Sequence, residues 1–247
     1  MQSLSPDEYT RYHRQINLPE IGHSGQEQLK KAKVFISGLG GLGSIIAYYV
    51  VAAGVGYVRL VDRDRVEMEN LNRQILHWID DIGKNKTDSA IEKLKRLNPN
   101  CELEAFSEEI REDNIIDLIG DCHYIADGTD NLETRRILNL ASVMKGIPFV
   151  FGGVEGFNGM TTTFIPSVTP CLECLFPHQE SENKPLGVLG PVPGLVASIQ
   201  VLEIIKLILN MEGLLKGRLL YIRGADMTFK SIKVERNPDC GTCGHIR

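Results

Sequence analysis

The chain has 247 residues, 43% hydrophobic and 24% charged, enough to bury one large α/β core without staples. A formal net charge of -5 weighs against DNA or RNA as a partner, because the protein as a whole repels polyanions. The N-terminus lacks the apolar core of a signal peptide, and the longest apolar stretch, Gly194 to Leu209, is interrupted by Ser198, Gln200, Glu203 and Lys206, so no membrane partner and a cytoplasmic location are expected.

Ser5, Pro6 and Glu8 form a capping-box signal that predicts a helix from Pro6 to Asn17, carrying Arg11, Arg14 and Gln15. Apolar runs then read as buried strands at Val34 to Ser37, Val58 to Asp62, Glu102 to Phe106, His123 to Ala126 and Pro148 to Phe151. Helical spacing fills the intervals at Ser44 to Ala53, Lys86 to Leu97, Asp113 to Ile119 and Leu132 to Lys145. This alternation predicts a Rossmann-like α/β fold, with a mostly parallel sheet covered by helices on both faces.

The first of those strands runs into VFISGLGGLGSIIA, which fits GxGxxG with Gly38, Gly40 and Gly43. The first glycine permits a tight turn, the second a close backbone approach to phosphate, and the third close packing of helix on sheet. The helix that follows presents free N–H groups to an anion. Asp62 ends the next strand at the position of a ribose-binding carboxylate, and loop plus Asp62 alone favour a dinucleotide such as NAD.

After Gly152 the pattern changes to strand-like segments around MTTTFIP, RLLYIR and FKSIKVER, expected to be antiparallel, with one long helix from Gly194 to Asn210. Pro166 to Pro193 reads as a long irregular connection, of the kind that is usually functional. We treat 1–247 as one domain, with an N-terminal helical arm (1–30), a nucleotide-binding half (31–152) and a second half (153–247).

Three constellations carry chemistry. CLEC (Cys171, Cys174) and CGTC (Cys240, Cys243) supply four thiolates with the bite of a structural Zn²⁺ site, which would pin the long connection to the C-terminal tail; two redox pairs are the alternative. His245 reads as a tail residue, and Cys101 and Cys122 as buried packing residues. After Asp62 come Asn70, Asn72, Arg73 and Gln74, then Lys84 and Lys86 at a helix start. Cations gathered beside a glycine loop suit a triphosphate better than a pyrophosphate. Finally, Asp127 and Asp130 close a strand before a helix whose N-cap is Asp130 or Asn131. They read either as caps or as carboxylates for Mg²⁺.

Taken together, RYHRQINLPEIGHSGQEQLKKAKVFISGLGGLGS, LVDRDRVEMENLNRQ, GKNKTDSA, DGTDN, CLEC, GVLGPVPGLVASIQVLEIIK and RNPDCGTC resemble the ThiF, MoeB and HesA family of ubiquitin-activating-enzyme-like adenylyltransferases, across nearly the whole chain. The resemblance implies ATP rather than NAD in the glycine loop, and adenylation of the C-terminal glycine of a ubiquitin-like sulfur-carrier protein ending in Gly-Gly (MoaD- or ThiS-like), with Mg²⁺ and release of pyrophosphate. By the same resemblance, Gly38, Gly40, Gly41 and Gly43 form the phosphate loop and Asp62 holds the ribose. Asn70, Arg73 and Lys86 grip the triphosphate, with Asn131 at the nucleotide and Asp130 on Mg²⁺. Arg14 reaches into the neighbouring subunit's site of a homodimer, and the four cysteines hold zinc. The family's covalent cysteine is missing from PHQESENKPLGVLGP, so the reaction is expected to stop at the acyl-adenylate, with a separate sulfur donor protein. No fused rhodanese sulfurtransferase is expected after the second CxxC. Molybdopterin, thiamine and other sulfur pathways all stay open. So do a tRNA-modifying relative acting on a small carboxylate (threonylcarbamoyladenosine dehydratase-like), an NAD-dependent oxidoreductase and a non-catalytic subunit.

Overall fold

The capping box forms as expected: the Glu8 amide donates to Ser5 Oγ at 3.2 Å and the Ser5 amide to Glu8 Oε2 at 2.8 Å. It opens α1 (Pro6–Arg11) in a computed structural model that describes residues 3–177 and 187–245. The helix does not run on to Asn17. It breaks at Tyr12 (φ -96°, ψ 11°) and resumes as α2 (His13–Ile16). The Tyr12 ring is buried and its hydroxyl accepts from Asn98 Nδ2 at 2.8 Å, a tertiary bond that local pattern does not contain. The N-terminal arm holds a further helix, α3 (Gly22–Lys31), whose bounds the sequence reading did not give; it starts without a side-chain cap, so the usual start signal is missing.

From there the alternation follows the sequence reading: β1 (Lys33–Ser37), α4 (Gly41–Ala52), β2 (Tyr57–Val61), α5 (Lys86–Leu97), β3 (Glu102–Phe106), α6 (Ile115–Ile119), β4 (Tyr124–Asp127), α7 (Leu132–Lys145) and β5 (Phe149–Glu155). Then come β6 (Asn158–Phe164), α8 (Leu172–Leu175), α9 (Pro191–Ile208), β7 (Arg218–Arg223) and β8 (Thr228–Lys233). The eight strands among the described residues form one sheet in the order β3-β2-β1-β4-β5-β6-β7-β8. The first five pair in parallel; β5–β6, β6–β7 and β7–β8 are antiparallel. β5 runs through residue 152, so the two halves of the chain share one sheet.

Successive strand residues serve opposite faces. Val34 and Ile36 pack with α4, α5 and α9 in one core, while Phe35 packs with α6 and α7 in the other. Both faces are therefore covered, which is why these strands read as continuous apolar runs. Among the described residues α9 is the one helix long and apolar enough to cross a membrane, but it lies against α4, β5 and β6. The polar residues that interrupt it make buried bonds: Gln200 Nε2 donates to the carbonyls of Asp127 (2.9 Å) and Val150 (3.1 Å), and Glu203 accepts from Thr163 Oγ1 (2.6 Å) and the Leu215 amide (2.7 Å).

Candidate active site

The chain proceeds from β1 outward to β2 and β3, then returns to β4 on the other side of β1. This reversal leaves a crevice at the carboxyl ends of β1 and β4. A cleft of about 770 Å³ occupies it, within the size range of small-ligand sites. Gly40, Gly41, Asp62, Arg73, Lys86 and Asp130 all line it.

Two glycines are required by geometry. Gly38 has φ +83°, and a Cβ there would lie 2.8 Å from the Gly128 carbonyl oxygen; at Gly43 a Cβ would sit 1.8 Å from the Gly38 oxygen. Gly43 thus lets α4 close onto the turn, leaving Gly40 and Gly41 at the cleft. Asp62 is buried and accepts from the Leu39 amide (2.6 Å) and the Asp64 amide (2.7 Å). Burial pushes its carboxyl up, against the opposing pull of Lys86 and those two amides. Lys86 is nearly buried, with its Nζ 2.9 Å from Asp64 Oδ2, a partner the sequence reading did not single out. The Arg73 guanidinium donates to the Glu69 carbonyl (2.8 Å) and Asn72 Oδ1 (3.0 Å) at the cleft wall.

Two of the cation-loop residues lie elsewhere. Lys84 does not join the cleft; it pairs with Asp81 at 3.0 Å and Glu92 at 3.6 Å. Asn70 lies behind the lining, where its Oδ1 accepts from the Glu67 amide (3.1 Å) and its carbonyl from the amides of Arg73 (3.1 Å) and Gln74 (2.9 Å). It shapes the turn that delivers Arg73.

The two aspartates after β4 separate cleanly. Asp127 is wholly buried and saturated, accepting from the Thr129 amide (2.9 Å), Thr129 Oγ1 (2.7 Å) and Arg135 Nε (2.9 Å). That corrects the reading of a carboxylate pair for Mg²⁺: Asp127 is a structural anchor. Asp130 is exposed at the cleft, with a single 3.5 Å contact from Asn131 Nδ2, so its carboxylate is free to take a cation. Asn131 is the N-cap of α7, its Oδ1 accepting from the Thr134 amide at 2.8 Å, and it lines the cleft as well.

Cys171, Cys174, Cys240 and Cys243 converge, with all four Sγ atoms within 4.8 Å of one another. The closest approaches are 3.5 Å (Cys174–Cys243) and 3.7 Å (Cys171–Cys240). Ligands at Zn–S bond length in a tetrahedron stand about 3.8 Å apart, so the set fits zinc, and the Asn237 amide facing Cys174 Sγ at 3.5 Å suits a thiolate. Cys101 and Cys122 are buried, and burial pushes both thiols up to about 12, so they are unreactive packing residues. His245 is exposed at the tail. Residues 178–186, most of the stretch expected to lack a catalytic cysteine, fall outside the description. Val188, just beyond them, bridges to Gly156 and lines the cleft together with Pro193. Arg14 is exposed on α2 and does not line its own chain's cleft.

The fold and this cleft define an α/β enzyme with a glycine-loop crevice in which Arg73 and Lys86 stand among acidic side chains. The chain belongs to the ThiF family, whose model matches residues 12–242, and it is an adenylyltransferase. It is 38% identical to the sulfur carrier protein adenylyltransferase of Thermus thermophilus, over 96% of this chain and 92% of that one. It is 39% identical to the SAMP-activating enzyme E1 of Haloferax volcanii, over 98% and 91%. The crystal structure of E. coli MccB with MccA-N7isoASN superposes with a TM-score of 0.86 at 24% identity, over 98% of this chain and 76% of that one, a likeness of fold. These relatives displace the dehydrogenase reading that the glycine loop and Asp62 favoured when taken alone.

Proposed function

We propose that the protein uses ATP to adenylate the C-terminal glycine carboxylate of a small ubiquitin-like sulfur-carrier protein ending in Gly-Gly, releasing pyrophosphate. The observation that carries this reading is the convergence of Arg73, Lys86 and a free Asp130 on the crevice of the glycine loop, in a chain with one relative named a sulfur carrier protein adenylyltransferase and another a SAMP-activating enzyme. An oxygen of the carrier's carboxylate attacks the α-phosphorus; the new P–O bond forms as the bond to the bridging oxygen of the β-phosphate breaks, and pyrophosphate leaves. No general base is required, because a terminal carboxylate is ionised at neutral pH. Catalysis then consists of bringing two anions together and neutralising them. Arg73 and Lys86 meet that charge, each worth about 3 kcal/mol by the scale of a lost oxyanion donor. Asp130 would hold Mg²⁺, which supplies further neutralisation of the phosphates when bound. Asp62 faces the ribose.

The enzyme works as a homodimer in which Arg14 reaches the neighbouring subunit's cleft; its exposure, away from its own cleft, supports that role. Sulfur comes from a separate donor protein. ATP–pyrophosphate exchange with candidate Gly-Gly carriers added in turn tests the reaction. Exchange that depends on one carrier is expected, and ATP binding without exchange for any of them would move the substrate to a small carboxylate. Mixing Arg14→Ala with Asp130→Ala chains is expected to restore part of the activity, since a hybrid dimer has one intact composite site. No recovery from verified hybrids removes the intersubunit role.

A further inference from the structure

Behind the glycine loop runs a line of buried hydrogen bonds whose direction is fixed by chemistry. Lys93 has only protons to give and the Leu39 carbonyl only lone pairs to receive them, so the two outer links each point one way, and a neutral His77 takes the Ser89 hydroxyl proton on Nδ1. Lys93 Nζ donates to Ser89 Oγ at 2.8 Å, the Ser89 hydroxyl to His77 Nδ1 at 2.8 Å, and His77 Nε2–H to the Leu39 oxygen at 3.0 Å. At its far end Lys93 is anchored on the buried carboxylate of Asp81, which also accepts from the Trp78 amide at 2.8 Å. His77 Nε2 therefore carries a proton. Burial, joined by the charges of Lys86 and Lys93 and opposed by the Leu39 carbonyl and Asp81, lowers its pKa to about 4, which keeps it neutral.

Leu39 is the residue between Gly38 and Gly40, and it is held from all sides. Its amide donates to Asp62 Oδ2 at 2.6 Å, and its carbonyl also accepts from Ser44 Oγ at 3.1 Å. Across the trans peptide bond the Leu39 carbonyl and the Gly40 N–H point in opposite directions. Drawing the carbonyl inward to His77 turns the Gly40 N–H outward to the cleft, where among the described residues it has no partner. An unpaired donor at the start of a twelve-residue helix is an anion contact in waiting.

We propose that His77 is a positioning residue for nucleotide binding, acting on the phosphates through the Leu39–Gly40 peptide; this rests on the reading of the cleft as an ATP site. The contact it sets is made to bound ATP as well as in the transition state, so its loss appears in KM more than in kcat.

The test is calorimetric titration of the full chain with Mg²⁺·ATP, alongside carrier-dependent exchange kinetics. His77→Phe is expected to raise the Kd and KM for ATP about tenfold with kcat changed less than about threefold, while His77→Gln, whose amide N–H reaches the same carbonyl, stays within about threefold of the parent. Nitrogen NMR of labelled histidine is expected to show one ring fixed as the Nε2–H tautomer and not titrating between about pH 5 and pH 8. A folded His77→Phe chain that binds ATP as the parent does overturns the proposal, and so does an Nδ1–H tautomer. If His77→Phe does not fold, His77→Asn decides: its shorter amide takes the place of Nδ1 and does not reach the Leu39 carbonyl, and an unchanged Kd overturns the proposal. A parent chain that fails to bind ATP at all refutes the reading of the cleft instead.

Discussion

Replacing Gly43 by alanine tests whether the close approach of α4 to the β1 turn is what makes the phosphate loop. The added Cβ would lie 1.8 Å from the Gly38 oxygen and 2.8 Å from its carbonyl carbon, both backbone atoms with no rotamer to yield. One side must retreat by more than about 1 Å to reach ordinary contact. Gly38 cannot be that side without loss, since its amide donates to the Val61 carbonyl at 2.7 Å and its Cα faces the Gly128 carbonyl. The start of α4 must therefore tilt away, taking Gly40 and Gly41 with it. Overpacking of this kind costs about 3 kcal/mol, at the upper end of the usual range. For a chain of this size that lowers Tm by about 6–12 °C. A displacement near 1 Å at a reacting centre costs about 100-fold in rate, so ATP–pyrophosphate exchange should fall by that factor even at temperatures where the variant is folded. Gly194→Ala is the control: it sits in α9 with no heavy atom within 4 Å of its Cβ, and is expected to leave exchange unchanged and stability equal or up to about 1 kcal/mol higher. A Gly43→Ala chain with the parent's Tm and exchange rate would refute the argument.

Asp130→Ala should abolish exchange while shifting Tm by less than about 2 °C, because an exposed carboxylate with one long contact does little for the core; unchanged activity would remove the magnesium assignment. The parent is expected to carry about one zinc per chain by metal analysis, and Cys174→Ser or strong chelation to lose it along with several degrees of Tm; a metal-free parent of full stability would remove the zinc site. Stability should also fall as pH drops from about 6.5 to about 4. His77 has its pKa lowered to about 4 in the folded chain, so in that window the unfolded chain binds the extra proton and stability rises with pH. The full effect is about 3 kcal/mol, read by urea unfolding across pH, and His77→Gln should flatten it. Equal slopes in the two proteins would show that other groups carry the dependence.

The alternation is legible where the inner strands β1, β2, β4 and β5 are buried on both faces and read as short apolar runs, and where α5 and α7 keep a polar face. Side-chain direction is less legible. Lys84 and Lys86 stand two residues apart at a helix start, and on that spacing they point to different sides: Lys86 to Asp64 and the cleft, Lys84 to Asp81. Asp127 and Asp130 likewise look equivalent in the sequence. What divides them is Arg135, on the first turn of α7, whose guanidinium holds Asp127 and also donates to the carbonyls of Thr129 and Gly152. The break at Tyr12 depends on Asn98, 86 residues away, and no local window contains it. His77 gave no signal, because a lone histidine among apolar residues looks the same whether or not its ring meets a functional loop.

The cysteines show why one strong local pattern can be legible while its purpose is not. Two CxxC pairs announce a metal site at any separation, since the bite of each pair is local. Their place in the fold comes from partners that carry no motif. The Leu172 amide donates to Asn139 Oδ1 at 3.0 Å and Glu173 accepts from Arg136 at 3.0 Å, tying the first pair to α7. α7 begins at Asn131, at the rim of the cleft. At the other described end of the connection, the amide of Gly156 donates to the Gly187 carbonyl at 2.6 Å and that of Leu189 to the Gly156 carbonyl at 3.1 Å, and this holds Val188 at the cleft. One anchor is thus a four-cysteine cluster braced on α7, just after Asp130, and the other is a backbone bridge beside the glycine loop. On the proposed reaction, zinc held by the first anchor sets where the carrier's tail enters, so zinc loss should raise the KM for carrier before it changes the Kd for ATP. Titrating the same metal-depleted sample with carrier and with ATP checks this, and parallel loss of both would reduce the cluster to a general stabiliser of the fold.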